Sequence, residues 1–148
     1  MRYVQVSSKT YRDNTGRSID FPTLLVEHNG ETMLFEQLHR YQIKNRSKSA
    51  TWHKKLVQAV GLLLDYMEAN QEYYDSAKEF FDTFTECVYS GTINEEGLDP
   101  SGLYWLPKRV ETANMLLSAL NGFSDWLHTE YGAVQLNPWR KATRYEER

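Results

Sequence analysis

The residues best equipped for chemistry in this 148-residue chain are few and scattered. His28, His39, His53 and His128 form no H-E-x-x-H pair and join no cysteine set at zinc-ligand spacing, so each reads as a surface or interface imidazole. Cys87 is the single cysteine, which excludes a thiolate cage and an intrachain disulfide; its helical setting suits a packed thiol better than a nucleophile. Neither G-x-G-x-x-G nor G-x-x-x-x-G-K-[ST] occurs, so no nucleotide cradle is signalled. Carboxylates crowd the stretch from Asp65 to Asp99, but at the spacing of a solvated face. Tyr73, Tyr74 and Tyr145 have no activating neighbour in sequence. The expectation is no catalytic residue, no cofactor and no metal ligand.

Anion chemistry has better support. A helix start offers unpaired backbone N–H groups and the positive end of the helix dipole, and cationic or hydroxyl side chains beside it complete an anion site. One predicted start carries Ser47, Lys48, Ser49, Thr51, His53, Lys54 and Lys55, just after Lys44 and Arg46. A second carries Lys108, Arg109, Thr112 and Asn114. If the two starts lay side by side, their cations could span adjacent phosphates of a nucleic-acid backbone, and Asn or Arg could read base edges. The plainer reading stands beside it: Ser49 and Thr112 cap helices, and the lysines keep the protein in solution.

Net charge of −3 and a pI near 5.8 argue weakly against a polyanionic partner, but the average hides a segregation. No Asp or Glu lies between Gln37 and Leu64, where Arg40, Lys44, Arg46, Lys48, Lys54 and Lys55 fall. From Asp65 to Asp99 the acids dominate and Lys78 is the lone base. Partners respond to such patches and not to the sum.

The elements that must position these residues follow from periodicity. Residues 1–30 read as an arm, extended or with two short strands: "RYVQV" alternates, and "FPTLLVEHNG" is a β-like run opened by Pro22 and closed by an Asn-Gly turn. A first helix is expected over about 32–44, from Met33, Leu34, Leu38, Tyr41 and Ile43. A second begins at Ser49 as N-cap, with Trp52, Leu56, Val60, Leu63 and Met67 as its stripe. A third opens on the Ser76/Glu79 capping box and stops at Gly91. A fourth runs from about Arg109 to Tyr131 and is closed by Gly132. The connection between the third and fourth is long, and Leu103, Tyr104, Trp105 and Leu106 are expected to pin its second half. The fold class is therefore all-α, a four-helix bundle over residues 31–134, with a linker over 135–148.

Composition is that of a globular chain, 41% hydrophobic and 25% charged. No run is long enough to span a membrane, and "MRYVQVSSKTYRD" lacks the apolar core of a secretory signal. A cytoplasmic location is the expectation.

"SKSATWHKKLVQAVGLLLDYMEAN" resembles the S-x-x-T-x-x-x-[YH]-x-x-x-L-x-x-F-x-x-[YF]-[LM] helix in the SAM-like core-binding domain of tyrosine recombinases and phage integrases. "GLYWLPKRVETANMLLSALNGFSDWLHTEYG" is similar to that domain's last helix, T-x-N-x-x-L-x-x-L-x-x-F-x-x-[WY]-[LA], through Thr112, Asn114, Leu117, Leu120, Phe123, Trp126 and Leu127. "LNPWRK" looks like the linker into the family's catalytic domain, so the likeness covers about residues 32–141. It implies a SAM-like bundle that clamps double-stranded DNA. Its partners would be its own catalytic domain and sister protomers. Cleavage and joining would need that catalytic domain, which is expected to be absent here; Tyr145 is preceded by no R…K…H-x-x-R set. The acidic stretch departs from the pattern and would have to face away from DNA. The alternative is a helical protein–protein interaction module without DNA binding, using the acidic third helix and the Tyr104–Trp105 loop. A small-molecule sensor has only the long loop behind it.

Overall fold

Gly30, at φ +80°, lets the amino-terminal segment turn back on itself, a backbone state open to glycine at no steric cost. In the computed structural model the described residues are 2–12, 18–28, 30–70 and 77–132, with side chains described over 22–27, 30–70 and 79–132. Strands β1 (Arg2–Arg12), β2 (Ser18–His28) and β3 (Glu31–Leu34) form an antiparallel sheet in that order. Helices α1 (Glu36–Lys44), α2 (Ala50–Asn70), α3 (Ala77–Ser90) and α4 (Val110–Tyr131) follow. The described chain is thus mostly helical, with four helices after a small sheet. It divides into two compact units, Met1–Leu64 and Asp65–Arg148, and the division falls within α2.

In the first unit the expected arm is a sheet of three strands. β1 and β2 pair from Arg2↔Glu27 to Arg12↔Ser18, with the register shifting between Val6↔Thr23 and Lys9↔Phe21. Ser7 and Ser8 therefore stand opposite Pro22 alone, which is a β-bulge. The bulge explains how a central strand tolerates proline: Pro22 has no N–H to give, and the ladder asks none of it there. Residues 31–34, expected as the first turn of a helix, are β3, paired Leu25↔Leu34 through His28↔Glu31. The hairpin at Gly30 overrides the helical spacing of Met33 and Leu34, and Met33 is exposed. Helix α1 starts only at Glu36, after the Phe35 N–H bonds the Leu24 carbonyl at 3.1 Å.

Helix α2 begins as expected. The Ser49 hydroxyl accepts the Trp52 N–H at 3.1 Å, the N-cap bond that satisfies one orphan donor. Leu56, Val57, Val60, Leu63 and Leu64 are buried, while Thr51, Lys54, Gln58 and Asp65 are exposed at three-, four- and seven-residue steps.

In the second unit Tyr66, Phe81, Phe84, Val88, Trp105, Leu116, Leu117, Leu120 and Phe123 are buried. Aromatic pairs knit them: Tyr66 lies 5.4 Å from Phe84 and 5.8 Å from Trp105, ring centroid to ring centroid. Gly91 ends α3 at φ +80°, its N–H on the Cys87 carbonyl at 2.8 Å. A Cβ there would come within 2.5 Å of the Trp105 carbonyl oxygen, so the position needs glycine twice over. Gly132, at φ +66°, closes α4. The Ser76/Glu79 capping box and the linker over 135–148 involve residues outside those described.

Candidate nucleic-acid interface

The cationic candidates divide by what holds them. Lys44 sits in the last turn of α1 and is exposed, where the helix dipole favours a cation. Arg46 is exposed and donates from Nη1 to the Ile43 carbonyl at 3.1 Å, closing the same helix end. Lys48, Ser49, Thr51 and Lys54 are exposed, and Lys55 is half-buried. The first turn of α2 holds no acidic residue. Ser49 serves as cap, so of the first N–H groups of α2 that of Trp52 is already taken.

His53 leaves this set. Its side chain is 1% exposed, which puts it out of reach of a phosphate, and its ring is built into the first unit. Nε2 lies 3.2 Å from the Asn45 carbonyl oxygen and Nδ1 3.4 Å from Gln42 Nε2. Burial pulls the imidazole below its ordinary value of 6.5, with the Asn45 carbonyl acting in the opposite direction. Spacing placed His53 beside Lys54 and Lys55, but successive helical residues point about 100° apart, so neighbours in sequence need not share a face.

The start of α4 is differently furnished. Arg109 is its N-cap, extended at φ −62° and ψ 145°, with no side-chain cap. Arg109 is exposed, Thr112 half-buried, and Glu111 brings an acid into the first turn. Lys108 is half-buried, its Nζ 5.7 Å from the Trp105 ring centroid, and burial lowers its ammonium from the usual value. Asn114 is half-buried, and its amide oxygen accepts from the Tyr89 hydroxyl, so it ties α4 to α3. The two helix starts belong to different units.

Sequence reasoning missed Asp99. Counted with the solvated acids, it is 7% exposed and organises the connection from Gly91 to Lys108. Oδ1 accepts from the Ser101 N–H at 2.8 Å and hydroxyl at 2.6 Å; Oδ2 accepts from the Tyr104 N–H at 2.7 Å and from the Thr92 hydroxyl. Thr92 in turn accepts the Trp105 N–H at 2.9 Å. Desolvation pushes the carboxyl up, but these bonds outweigh it and hold Asp99 at about 2. The available signal was local: D-x-S is an Asx-type turn pattern, and such aspartates bond their own backbone. Trp105 is buried as expected, whereas Leu106 is 68% and Tyr104 50% exposed, so they do not pin the loop.

A cavity of about 340 Å³ opens beside this loop, lined by Tyr66, Asn70, Cys87, Thr92, Asp99 and Ser101 among others. Its polar groups are occupied: Asn70 donates to the Tyr66 carbonyl at 3.1 Å and Asp99 is saturated. Cys87 lies 4.0 Å from the Tyr66 hydroxyl, and burial raises its thiol above the ordinary value. That is a protonated thiol and a poor nucleophile. Among the described residues no group of three His, Cys, Asp or Glu could hold a metal, and no helix is long and apolar enough to cross a membrane.

No family model, no curated protein and no solved structure matches the chain.

Proposed function

We propose that the chain is a DNA-binding segment, of the SAM-like core-binding kind its helices resemble, that grips the duplex backbone from the starts of α2 and α4. The observation that carries this reading is the surface around the start of α2. Lys44, Arg46, Lys48 and Lys54 are exposed, Lys55 is half-buried, and no acidic residue interrupts them. Arg109 is the exposed cation at the start of α4. Such contacts position a protein on phosphates without reading sequence. In the family resembled, strand cleavage belongs to a separate catalytic domain, and this chain's part would be to clamp.

The test is electrostatic. Replacing Lys54 and Lys55 by Glu is expected to weaken duplex binding on every DNA sequence, and to lower the salt slope by about one for each lost phosphate contact. Equal retardation of wild type and double variant in a low-salt shift assay would overturn the reading. The alternative, a protein-interaction module, draws on the exposed Leu98, Tyr104 and Leu106 of the α3–α4 connection. Light scattering after size exclusion separates the two, because a stable oligomer indifferent to DNA favours the second.

A further inference from the structure

We propose that Gln42 and His53 form a proton-operated latch, in which protonation of His53 at Nδ1 turns the Gln42 side chain and releases the Pro22 carbonyl of β2. The inference concerns the first unit and does not rest on DNA binding.

Hydrogen-bond supply sets which atoms of the pair carry protons. The Asn45 carbonyl can only accept, so the His53 nitrogen 3.2 Å away, Nε2, carries a proton in either ionisation state. The Pro22 carbonyl can only accept as well, and it lies 2.5 Å from Gln42 Nε2, which fixes the orientation of that amide. The same NH₂ group faces His53 Nδ1 at 3.4 Å. Nδ1 must therefore be an unprotonated acceptor. The chain Pro22 carbonyl, Gln42 amide, His53 ring, Asn45 carbonyl runs with every hydrogen pointing consistently, and it links β2 and α1 to the start of α2.

One proton breaks that consistency. A hydrogen on Nδ1 would face the Gln42 NH₂, donor against donor. Turning the amide brings Oε1 to His53 and restores that bond, but then Oε1 faces the Pro22 oxygen, acceptor against acceptor. Gln42 can serve Pro22 or a protonated His53, and not both. Its Oε1 is buried with no protein hydrogen-bond partner, and Gln42 is 0% exposed, so bulk solvent does not reach the amide.

The charged and titratable groups on the surrounding elements are Glu36, His39, Arg40, Tyr41 and Lys44 on α1, Arg46 and Lys48 in the connection after it, Lys54, Lys55, Asp65, Tyr66 and Glu68 on α2, Glu27 on the part of β2 whose side chains are described, and Glu31 on β3. Glu36 and Arg40 pair with each other at 2.5 Å. Lys44, Lys54 and Glu31 are exposed, and His39, Lys55 and Glu27 are half-buried. Burial is the first influence on the ring, and it favours the neutral form.

The experiment uses the full chain, labelled with ¹⁵N, from about pH 8 to about pH 5, the span over which imidazoles titrate. Long-range ¹H–¹⁵N correlation should show the Nε2–H tautomer at high pH and a His53 midpoint below 6.5. The Gln42 NH₂ resonances should move with that same midpoint. Exchange of the Phe35 amide, which bonds the Leu24 carbonyl of β2, should quicken about fivefold, as for the loss of one net hydrogen bond. In Gln42→Met the exchange step should vanish although His53 still titrates. An Nδ1–H tautomer at high pH, a Gln42 amide that stays fixed while His53 titrates, or an exchange step that survives in Gln42→Met would each overturn the latch. The wild-type readings decide the matter by themselves if Gln42→Met fails to fold.

Discussion

In the first unit His53 is 1% exposed, and in the second Asp99 is 7% exposed. Both are ionisable side chains taken out of water, yet the protein keeps the histidine neutral and the aspartate charged. The difference lies in what surrounds them. Asp99 receives four hydrogen bonds from N–H and O–H donors, enough to replace its lost hydration. His53 receives one acceptor at Nε2 and a donor at Nδ1, a setting that fits a neutral imidazole and opposes an imidazolium. Burial alone dictates neither outcome; the match between the group's ionised form and the partners supplied does.

The largest effect is expected at Asp99. Asp99→Leu would strand the Ser101 and Tyr104 N–H groups and two hydroxyls, and is expected to cost about 3 kcal/mol, read from urea denaturation. A loss under about 1 kcal/mol would mean that water replaces the carboxylate, and the contrast would collapse. His53→Leu strands less, because the Gln42 amide keeps the Pro22 carbonyl and the Asn45 carbonyl keeps the Lys48 N–H, and it is expected to cost about 2 kcal/mol at neutral pH. Thr92→Val removes one of four bonds to Asp99 and the acceptor for Trp105 N–H, so a loss of about 1 kcal/mol is expected, the smallest of the series.

Acid sharpens the same contrast. The folded value of His53 lies below 6.5, so its contribution is complete above pH 6.5 and is lost as pH falls from there through the folded value. The folded value of Asp99 is about 2 against 3.8 unfolded, so its contribution is complete above pH 3.8 and is lost only as pH falls toward 2. Fluorescence of Trp52, whose ring lies 4.9 Å from that of His53, should therefore respond to acid before that of Trp105 in the Asp99 loop. Coincident transitions in single-tryptophan variants would contradict this ordering.

Periodicity was a good guide where one face is buried and the other wet. The bounds of α3 and α4, the Ser49 cap of α2 and the glycine stops at Gly91 and Gly132 were all legible, because each depends on contacts within a few residues. Two kinds of feature were not. Met33 and Leu34 fit a helical stripe, and only pairing with β2, a contact set by the turn at Gly30, makes them a strand. His53 and Asp99 joined charged stretches of their own sign in sequence, yet both serve buried polar networks whose partners come from other elements or from across a loop. Of the cationic candidates, exposure fits Lys44, Arg46, Lys48, Lys54 and Arg109, while Asn114 is engaged with Tyr89.

The bulge at Pro22 has a consequence for reversibility. Since Ser7 and Ser8 share that single opposite number, no rung of the ladder depends on Pro22, and Val6↔Thr23 and Lys9↔Phe21 bracket it on either side. Whatever happens to the proline's oxygen, the neighbouring rungs keep the strands aligned. The register thus survives the event, and a lost partner there can be regained without the hairpin having to find its alignment again.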